Sequence, residues 1–220
     1  DGEISAVGEW LAAGDEPYAG RTCFHLSGAL GSEDLAALRN CGAAVMAFHP
    51  AQAFTGESDP FTVLQGVCFD MEGDDAACET GDRIARSLGG CTVRLTPAQR
   101  LAAHAAMSVV SNFTVALAAL GGEIAATAGI SGGDVKRMLD PLLETTLSNI
   151  LARGPENALT GPVMRGDTET VRRHLAIMDA MPGAAGDVYR DLARYTTDLA
   201  RRWGALDAAT AWDLEHVLKK

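Results

Sequence analysis

CTVRLTPAQRLAAHAAMSVVSNF, residues 91–113, contains the point at which one kind of fold gives way to another. Residues 91–95 form a short apolar run that is typical of a β-strand. TPAQ, residues 96–99, then supplies an N-cap, a proline at the first helical position and the glutamine of a capping box. The stretch therefore predicts a strand followed by a long helix that runs to about residue 128, with Gly129 as its C-terminal stop.

Helices and strands alternate on the amino-terminal side of this point. Apolar runs predict four strands, at residues 21–25, 43–48, 62–69 and 91–95. Helical periodicity predicts helices at residues 4–13, 32–40 and 75–88. Alternation at this spacing indicates an α/β unit with a mainly parallel sheet.

Only helices are predicted on the carboxyl-terminal side. After the long helix they begin near Ser131, Asp167, Gly186 and Leu206. The charge changes at the same point, since residues 1–96 carry 15 Asp and Glu against 5 Lys and Arg, whereas residues 97–220 carry 14 against 13. We therefore predict two domains, residues 1–96 and residues 97–220.

The overall composition excludes several classes of protein. The chain has 220 residues, 47% of them hydrophobic, so it can bury a core and is not a disordered tail. A net charge of -11 argues against nucleic acid or an anionic membrane as a partner, because both bind clustered Lys and Arg. The strictly apolar stretches are too short to span a bilayer, and no secretory signal is visible. These observations predict a cytoplasmic protein without a transmembrane helix.

The cysteines are predicted to be free thiols. Their number is odd, they are widely spaced and no CxxC pair occurs; they are Cys23, Cys41, Cys68, Cys78 and Cys91. This pattern fits a reducing compartment better than a disulfide framework or a zinc site. We interpret them as small core residues, and no metal site is predicted.

Two of the predicted strands end in polar residues. HLSG, residues 25–28, ends the first strand, and His49-Pro50 ends the second. In open parallel α/β sheets, ligands bind outside the carboxyl ends of the strands, and a glycine such as Gly28 lets the backbone come close to them. Each histidine taken singly could instead be a turn residue bonded to the backbone.

A row of polar residues runs along the otherwise apolar long helix. His104, Ser108 and Asn112 are four residues apart, so they lie on one face, and Arg100 extends the row. Burying an imidazole, a hydroxyl and an amide is costly unless they are paired or face a cleft. The row is therefore either a hydrogen-bonded dimer contact or the wall of a substrate cleft. In a cleft, His104 would transfer protons and Asn112 would orient a carbonyl or carboxylate.

A turn-rich connection, LTGPVMRGD at residues 159–167, is long for a link between helices. Its Arg165 could clamp a carboxylate or phosphate, or it could pair with Asp167 or Glu169 and brace the loop. Physical reasoning alone favours neither. The chain contains no GxGxxG, GxxxxGKS/T, GxSxG or HExxH motif, so the sequence has none of the common phosphate-binding, nucleophile or zinc signatures.

Four segments occur together in one order: HLSGAL (25–30), AFHPAQAF (47–54), HAAMSVVSNF (104–113) and ALTGPVMRGD (158–167). With this spacing the chain resembles a bacterial family of Rossmann-like oxidoreductases whose C-terminal helical domain has no assigned function. That family is related to deazaflavin-dependent NADP oxidoreductases and to the 6-phosphogluconate dehydrogenase superfamily. The resemblance covers nearly the whole chain. It implies an α/β Rossmann-like domain, an all-α domain like the C-terminal domain of 6-phosphogluconate dehydrogenase, and a cleft between them.

The chain departs from that family in two ways. Members normally open with a strand and a glycine-rich turn, whereas DGEI, residues 1–4, resembles the stretch after their fourth strand. The resemblance therefore implies a Rossmann-like domain that is incomplete at the N-terminus and binds NADP or NAD only if the missing turn is supplied. The wider superfamily uses a Lys and an Asn four residues apart on the long helix. Here Arg100 stands where a Lys is common, and His104/Ser108 or Ser108/Asn112 fill that spacing.

The leading hypothesis is an NAD(P)-dependent oxidoreductase that passes hydride to or from a small carbonyl, hydroxy acid or imine. The predicted site residues are His104, Ser108 and Asn112 for catalysis, Ser27, His49 and Arg165 for substrate binding, and His25, Gly28 and Pro50 for cofactor binding. The expected partners are a small-molecule substrate and a second copy of the chain, bound through the helical domain. The alternative is a non-catalytic dimeric scaffold or small-molecule sensor on the same fold.

Overall fold

The computed structural model describes residues 1–56 and 59–219. Its strands are β1 (Thr22–His25), β2 (Ala44–Pro50), β3 (Cys68–Gly73) and β4 (Cys91–Arg94). The helices around them are α1 (Ile4–Ala12), α2 (Ala36–Asn40), α3 (Pro60–Val63), α4 (Asp75–Ser87) and α5 (Pro97–Val110), with a 3-10 turn at Ser32–Leu35. The remaining helices are α6 (Asn112–Thr127), α7 (Gly132–Arg153), α8 (Pro155–Ala158), α9 (Thr168–Asp179), α10 (Ala185–Arg202) and α11 (Ala208–Val217).

The four strands form one sheet in the order β1-β2-β3-β4. β1 and β2 are parallel, as are β3 and β4, whereas β2 and β3 are antiparallel. Two of the three pairings therefore agree with the predicted, mainly parallel sheet. The predicted class, an α/β unit followed by helices, is confirmed.

The two faces of the sheet differ in chemistry because alternate residues of a strand point to opposite sides. On one face Phe48 stacks on Phe69, with ring centroids 4.4 Å apart, and both lie in a core with residues of α4. On the other face Val45 packs with Leu38 of α2. Polar residues occupy the rest of that second face, and they form the candidate site.

The long helix begins as predicted. The Thr96 N–H donates to the Gln99 side chain at 2.8 Å, which completes the capping box. A turn at Ser111 divides the helix into α5 and α6, and Gly129, with a φ of 76°, follows its end.

One helical run bears on the prediction that the protein has no transmembrane helix, without deciding it. The run Pro97–Thr127 is 31 residues long and apolar enough to cross a bilayer, judged by length and composition alone. The sequence argument counted strictly apolar stretches and so missed a helix interrupted by single polar residues. Helices of soluble proteins pass the same test, so the run by itself shows no membrane contact.

The strand predicted at residues 62–69 is wrong for most of its length. The Thr62 N–H and hydroxyl both bond to the Asp59 carboxylate, which favours the short helix α3. Gly66, with a φ of 72°, then turns the chain, and β3 begins at Cys68.

The prediction of five free cysteines is also wrong. Cys68 and Cys91 occupy opposite positions of the neighbouring strands β3 and β4, and a disulfide joins them across a Cα–Cα distance of 4.5 Å. Strand pairing brings together two residues that sequence spacing alone had kept apart. Cys23, Cys41 and Cys78 are free. Burial raises the pKa of the Cys23 and Cys78 thiols, so neither has the thiolate character of a nucleophile.

The chain divides into two compact units, Asp1–Thr114 and Val115–Lys220. The first unit includes α5, whose Arg100 side chain bonds to Asp70 of the sheet, whereas the sequence predicted a boundary near residue 96. The second unit has its own apolar core, which includes Val171, Leu175 and Leu214.

Candidate functional site

A polar cluster lies on the second face of the sheet, at the carboxyl end of β2. His49 of β2 is paired directly opposite Asp70 of β3, and Ala47 is paired opposite Glu72. Because the strand period is two, Asp70 and Glu72 point to the same face while Phe69 and Met71 point to the apolar one. Asp70 and Glu72 are only 6% and 8% exposed, so each needs partners within the protein.

Arg100 supplies the first partner of Asp70. Its guanidinium donates to Asp70 Oδ1 at 2.8 Å, to the Ser27 carbonyl at 2.6 Å and to the Leu30 carbonyl at 2.9 Å. The side chains of Arg100 and Asp70 are 2% and 7% exposed, so this is a buried ion pair. Arg100 thus fixes α5 to the sheet and to the loop that follows β1.

His49 supplies the second partner. Its Nδ1 lies 2.8 Å from Asp70 Oδ2. Since a carboxylate only accepts hydrogen bonds, Nδ1 of His49 carries the proton of this bond. The other ring nitrogen, Nε2, is then left to exchange a proton. An aspartate behind a histidine orients the ring and stabilises its protonated form.

His104 lies beside His49. The two ring centroids are 5.7 Å apart, and the rings meet edge to face. The Nδ1 atom of His104 is buried and has no hydrogen-bond partner among the described residues. A Cβ placed on Gly28 would lie 2.4 Å from this nitrogen and 3.0 Å from Cε1 of His49. The two imidazoles occupy the space that a side chain at residue 28 would need, so only glycine fits there.

Gly28→Ala is expected to displace both rings, because the added Cβ would lie closer to them than side-chain carbons normally approach. Imidazole NMR signals provide a readout that does not depend on activity, and those of His49 and His104 should shift. Gly132→Ala is the matched control, because a Cβ there meets nothing within 4 Å. Unchanged histidine signals in Gly28→Ala would contradict the packing.

A pocket of about 710 Å³ opens next to the two histidines. His49 and the loop after β2 form one side, and α5 with the start of α6 forms the other. Ser108 and Asn112 both line it, so the structure brings the predicted helix row and the end of β2 into one pocket. Ser108 is half-buried and Asn112 is exposed.

Three further residues predicted to bind ligands make contacts within the protein. The His25 ring accepts from the Ser27 N–H through Nδ1 and donates to the Gly31 carbonyl through Nε2. The Ser27 hydroxyl accepts from the N–H groups of Ala29 and Leu30. Pro50 is buried and paired opposite Phe69. The bonds of His25 and Ser27 shape the loop that holds Gly28.

Arg165 belongs to the second unit, where its side chain is exposed in the turn before α9. The Thr170 N–H and hydroxyl lower the pKa of Asp167, and the nearby charge of Arg165 lowers it further. Arg165 thus acts electrostatically on Asp167, the N-cap of α9.

Sequence reasoning missed the acids of β3. Glu72 accepts from the Ser32 N–H at 2.8 Å and from the Ser32 hydroxyl at 2.9 Å, so a carboxylate already occupies the start of the 3-10 turn. Asp70 accepts hydrogen bonds from both Arg100 and His49 and so joins α5 to the end of β2. The signal was the sequence FDMEG, in which acids alternate with large apolar residues as they do in a half-polar strand. Residues 1–56 and 59–219 contain no group of three His, Cys, Asp or Glu side chains placed to hold a metal ion.

A family model described as "Domain of unknown function (DUF2520)" matches residues 67–196, more than half of the chain. The chain is a member of the DUF2520 family. The matched region of this DUF2520 chain contains Asp70, Arg100 and His104, and the resemblance inferred from the four sequence segments is confirmed. No curated protein matches the chain significantly.

Solved structures share the fold of this DUF2520 chain. Protein TM1727 from Thermotoga maritima matches with a TM-score of 0.73 and 25% identity, over 92% of this chain and 76% of its own. BF3122 from Bacteroides fragilis, a proposed NADP oxidoreductase, matches with a TM-score of 0.72 and 21% identity, over 89% and 71%. An imine reductase from Pseudomonas sp. matches with a TM-score of 0.54 and 16% identity, over 96% and 76%. The last two likenesses show the fold alone.

Proposed function

We propose that the chain is an NADP(H)-dependent oxidoreductase that acts on a small carbonyl, hydroxy acid or imine held in the pocket beside His49 and His104. The observation that carries this proposal is the buried bridge from Arg100 through Asp70 to His49, which equips one imidazole for proton transfer at the edge of a pocket. Two proteins of the same fold, described as a proposed NADP oxidoreductase and an imine reductase, support it.

In this proposal His49 is the general acid. Its Nε2 proton passes to the oxygen of a carbonyl or the nitrogen of an imine, while Nδ1 keeps its bond to Asp70. Solvent then reprotonates the ring, and oxidation of an alcohol runs the same transfer in reverse. Bound NADPH supplies the hydride that the substrate carbon receives. Ser108, Asn112 and His104 line the pocket and orient the reacting group, with His104 as the alternative acid.

The residues around the pocket fit the nicotinamide of NADP(H) better than the rest of the first unit fits its pyrophosphate. Gly28 and the unpartnered Nδ1 of His104 would lie against the nicotinamide, next to the pocket. The pyrophosphate normally binds backbone N–H groups at a helix start. In the described part of the first unit, the turn after β1 offers no such place, because Glu72 already accepts from Ser32. We therefore expect weak dinucleotide binding by this chain alone.

The test is an NADPH titration followed by fluorescence, together with a turnover assay on a panel of ketones, imines and hydroxy acids. It is run on this chain and on a form that carries whatever residues its gene encodes upstream of Asp1. Binding and turnover by either form would support the proposal. If both forms bind no NADPH at millimolar protein, the oxidoreductase proposal fails.

We propose further that two copies of the chain pair through the helical unit. No residue of α6 or α7 is buried, and Val115, Leu142 and Leu151 are 70%, 61% and 88% exposed. Exposed apolar surface on this scale is typical of an interface, and a two-fold dimer covers the same patch on both copies. A second copy would bury both helices at once.

Leu151→Glu is expected to weaken the dimer by about 100-fold or more, because two-fold symmetry places the lost contact at the interface twice. Sedimentation velocity on the wild type and the variant measures this. Trp10→Glu, which alters an exposed apolar residue of α1, is the control and should leave the sedimentation unchanged. A monomeric wild type would contradict the dimer.

The non-catalytic scaffold remains the competing function. His104→Ala and Asn112→Ala separate the two, because a scaffold that pairs through this row should lose its dimer. An enzyme should lose turnover and keep its oligomeric state.

A further inference from the structure

The pocket beside His49 and His104 has no permanently charged side chain among its described lining residues. Within residues 1–56 and 59–219, its lining includes neither Lys, Arg, Asp nor Glu. The polar groups are two imidazoles and neutral hydroxyl and amide groups, among them Gln52 and Asn112, while Phe54, Met107 and Val110 supply apolar surface. Such a lining holds an uncharged body and a single polar group.

The nearest buried cation cannot serve an anionic substrate. Arg100 is 2% exposed and already donates to Asp70, Ser27 and Leu30. Freeing its guanidinium would leave Asp70 without its counter-charge, and breaking a buried pair is strongly unfavourable. A carboxylate or phosphate in the pocket would therefore lose its hydration, and the protonated His49 ring, which the proposed reaction needs as its acid, could not also serve as its ion-pair partner.

The surrounding charge also acts against anions. Residues 1–96 carry 15 acidic and 5 basic residues, so the net charge of this part of the chain is strongly negative. A cleft in a negative field lowers the local concentration of anions and raises that of cations. An iminium cation would be favoured by the same field.

We infer that the substrate is an uncharged carbonyl compound, or the iminium cation derived from one, with an apolar body and without a carboxylate or phosphate. The inference rests on the proposed function and narrows it, since it removes the hydroxy acids. Reduction of the carbonyl adds a hydride to carbon and a proton from His49 to oxygen. Reduction of the iminium adds a hydride alone and yields the neutral amine.

The experiment compares two ligands of the same shape, 4-oxo-4-phenylbutanoate and its N-methyl amide. Binding to the chain is measured by ligand-observed NMR without cofactor, and NADPH-dependent turnover is measured separately. We expect the amide to bind at least 10-fold more tightly and to react with at least 10-fold higher kcat/KM. Equal binding, preference for the acid, or no binding of either would overturn the inference. Selective amide binding without any turnover on the panel would instead overturn the proposed function.

A charge-bearing variant tests the cause. Gln52→Arg adds a cation to the pocket lining at an exposed position and should shift the acid-to-amide binding ratio toward the acid by about 10-fold. Gln52→Met, with similar length and no charge, should keep the preference for the amide. A ratio that does not move in Gln52→Arg would show that charge in the pocket does not set the selectivity, and would overturn the inference.

Discussion

Replacing Asp70 with asparagine is expected to lower the free energy of unfolding by about 3–5 kcal/mol, which is the usual cost of removing one partner from a buried ion pair. The asparagine keeps the shape of the side chain but leaves the Arg100 guanidinium, 2% exposed, without a counter-charge. The single amide oxygen cannot accept from both Arg100 and His49, so turnover should fall with stability. Urea denaturation at neutral pH measures the change.

Two controls make this prediction specific. Asp75→Asn breaks an exposed pair with Arg94 and should cost less than about 1 kcal/mol. The double variant Asp70→Asn with Arg100→Met should be less destabilised than the sum of the single variants, because removing both charges leaves neither unpaired. Equal losses in Asp70→Asn and Asp75→Asn would contradict the buried pair.

His49→Gln is expected to reduce kcat/KM for carbonyl reduction by about 100- to 10,000-fold, the range for loss of a general acid. The effect should fall on kcat, because the glutamine still fills the pocket wall and accepts or donates one hydrogen bond. Steady-state NADPH oxidation by a form of the protein that binds the cofactor measures the change, and urea denaturation checks that the fold persists.

His104→Gln is the matched comparison, since the two rings share one pocket. Only His49 has a carboxylate behind it. We therefore expect a smaller loss in His104→Gln. A larger loss there would return the role of general acid to His104, as the helix row predicted.

Local signals in the sequence predicted the elements well. The capping box at residues 96–99 and the stop at Gly129 each depend on a few neighbouring residues, and both occur as predicted. The predicted start of β3 was wrong, and here too a few neighbouring residues decide the structure. The apolar run at residues 62–69 reads as a strand, but the bond from Thr62 to Asp59 and the turn at Gly66 decide the backbone.

The site could be predicted only in outline. His49, His104, Ser108 and Asn112 do line one pocket, because strand ends and helix faces follow simple periodicities. Their partners could not be foreseen. The pairing of His49 with Asp70 depends on an antiparallel register between strands that were expected to be parallel.

For His25 and Ser27, the position could be predicted from the sequence but the hydrogen-bond partners could not. Both were placed correctly at the end of β1, yet their side chains bond within the loop that follows. A polar residue at a strand end can face a ligand or stabilise the turn, and the same sequence pattern is compatible with both. Only the coordinates of the acceptors distinguish them.

The bond from Arg100 to Asp70 also bears on how this chain can be rearranged. Gly28, His49, Asp70 and His104 all lie within residues 1–114, and the bond attaches the first turn of α5 to that portion. A fragment ending at residue 96 would lack the Arg100 guanidinium and would leave the buried Asp70 carboxylate without its counter-charge. A chimaera that keeps residues 1–114 and takes its remaining residues from a relative would retain the His49–His104 pair, while replacing most of α6 and all of α7.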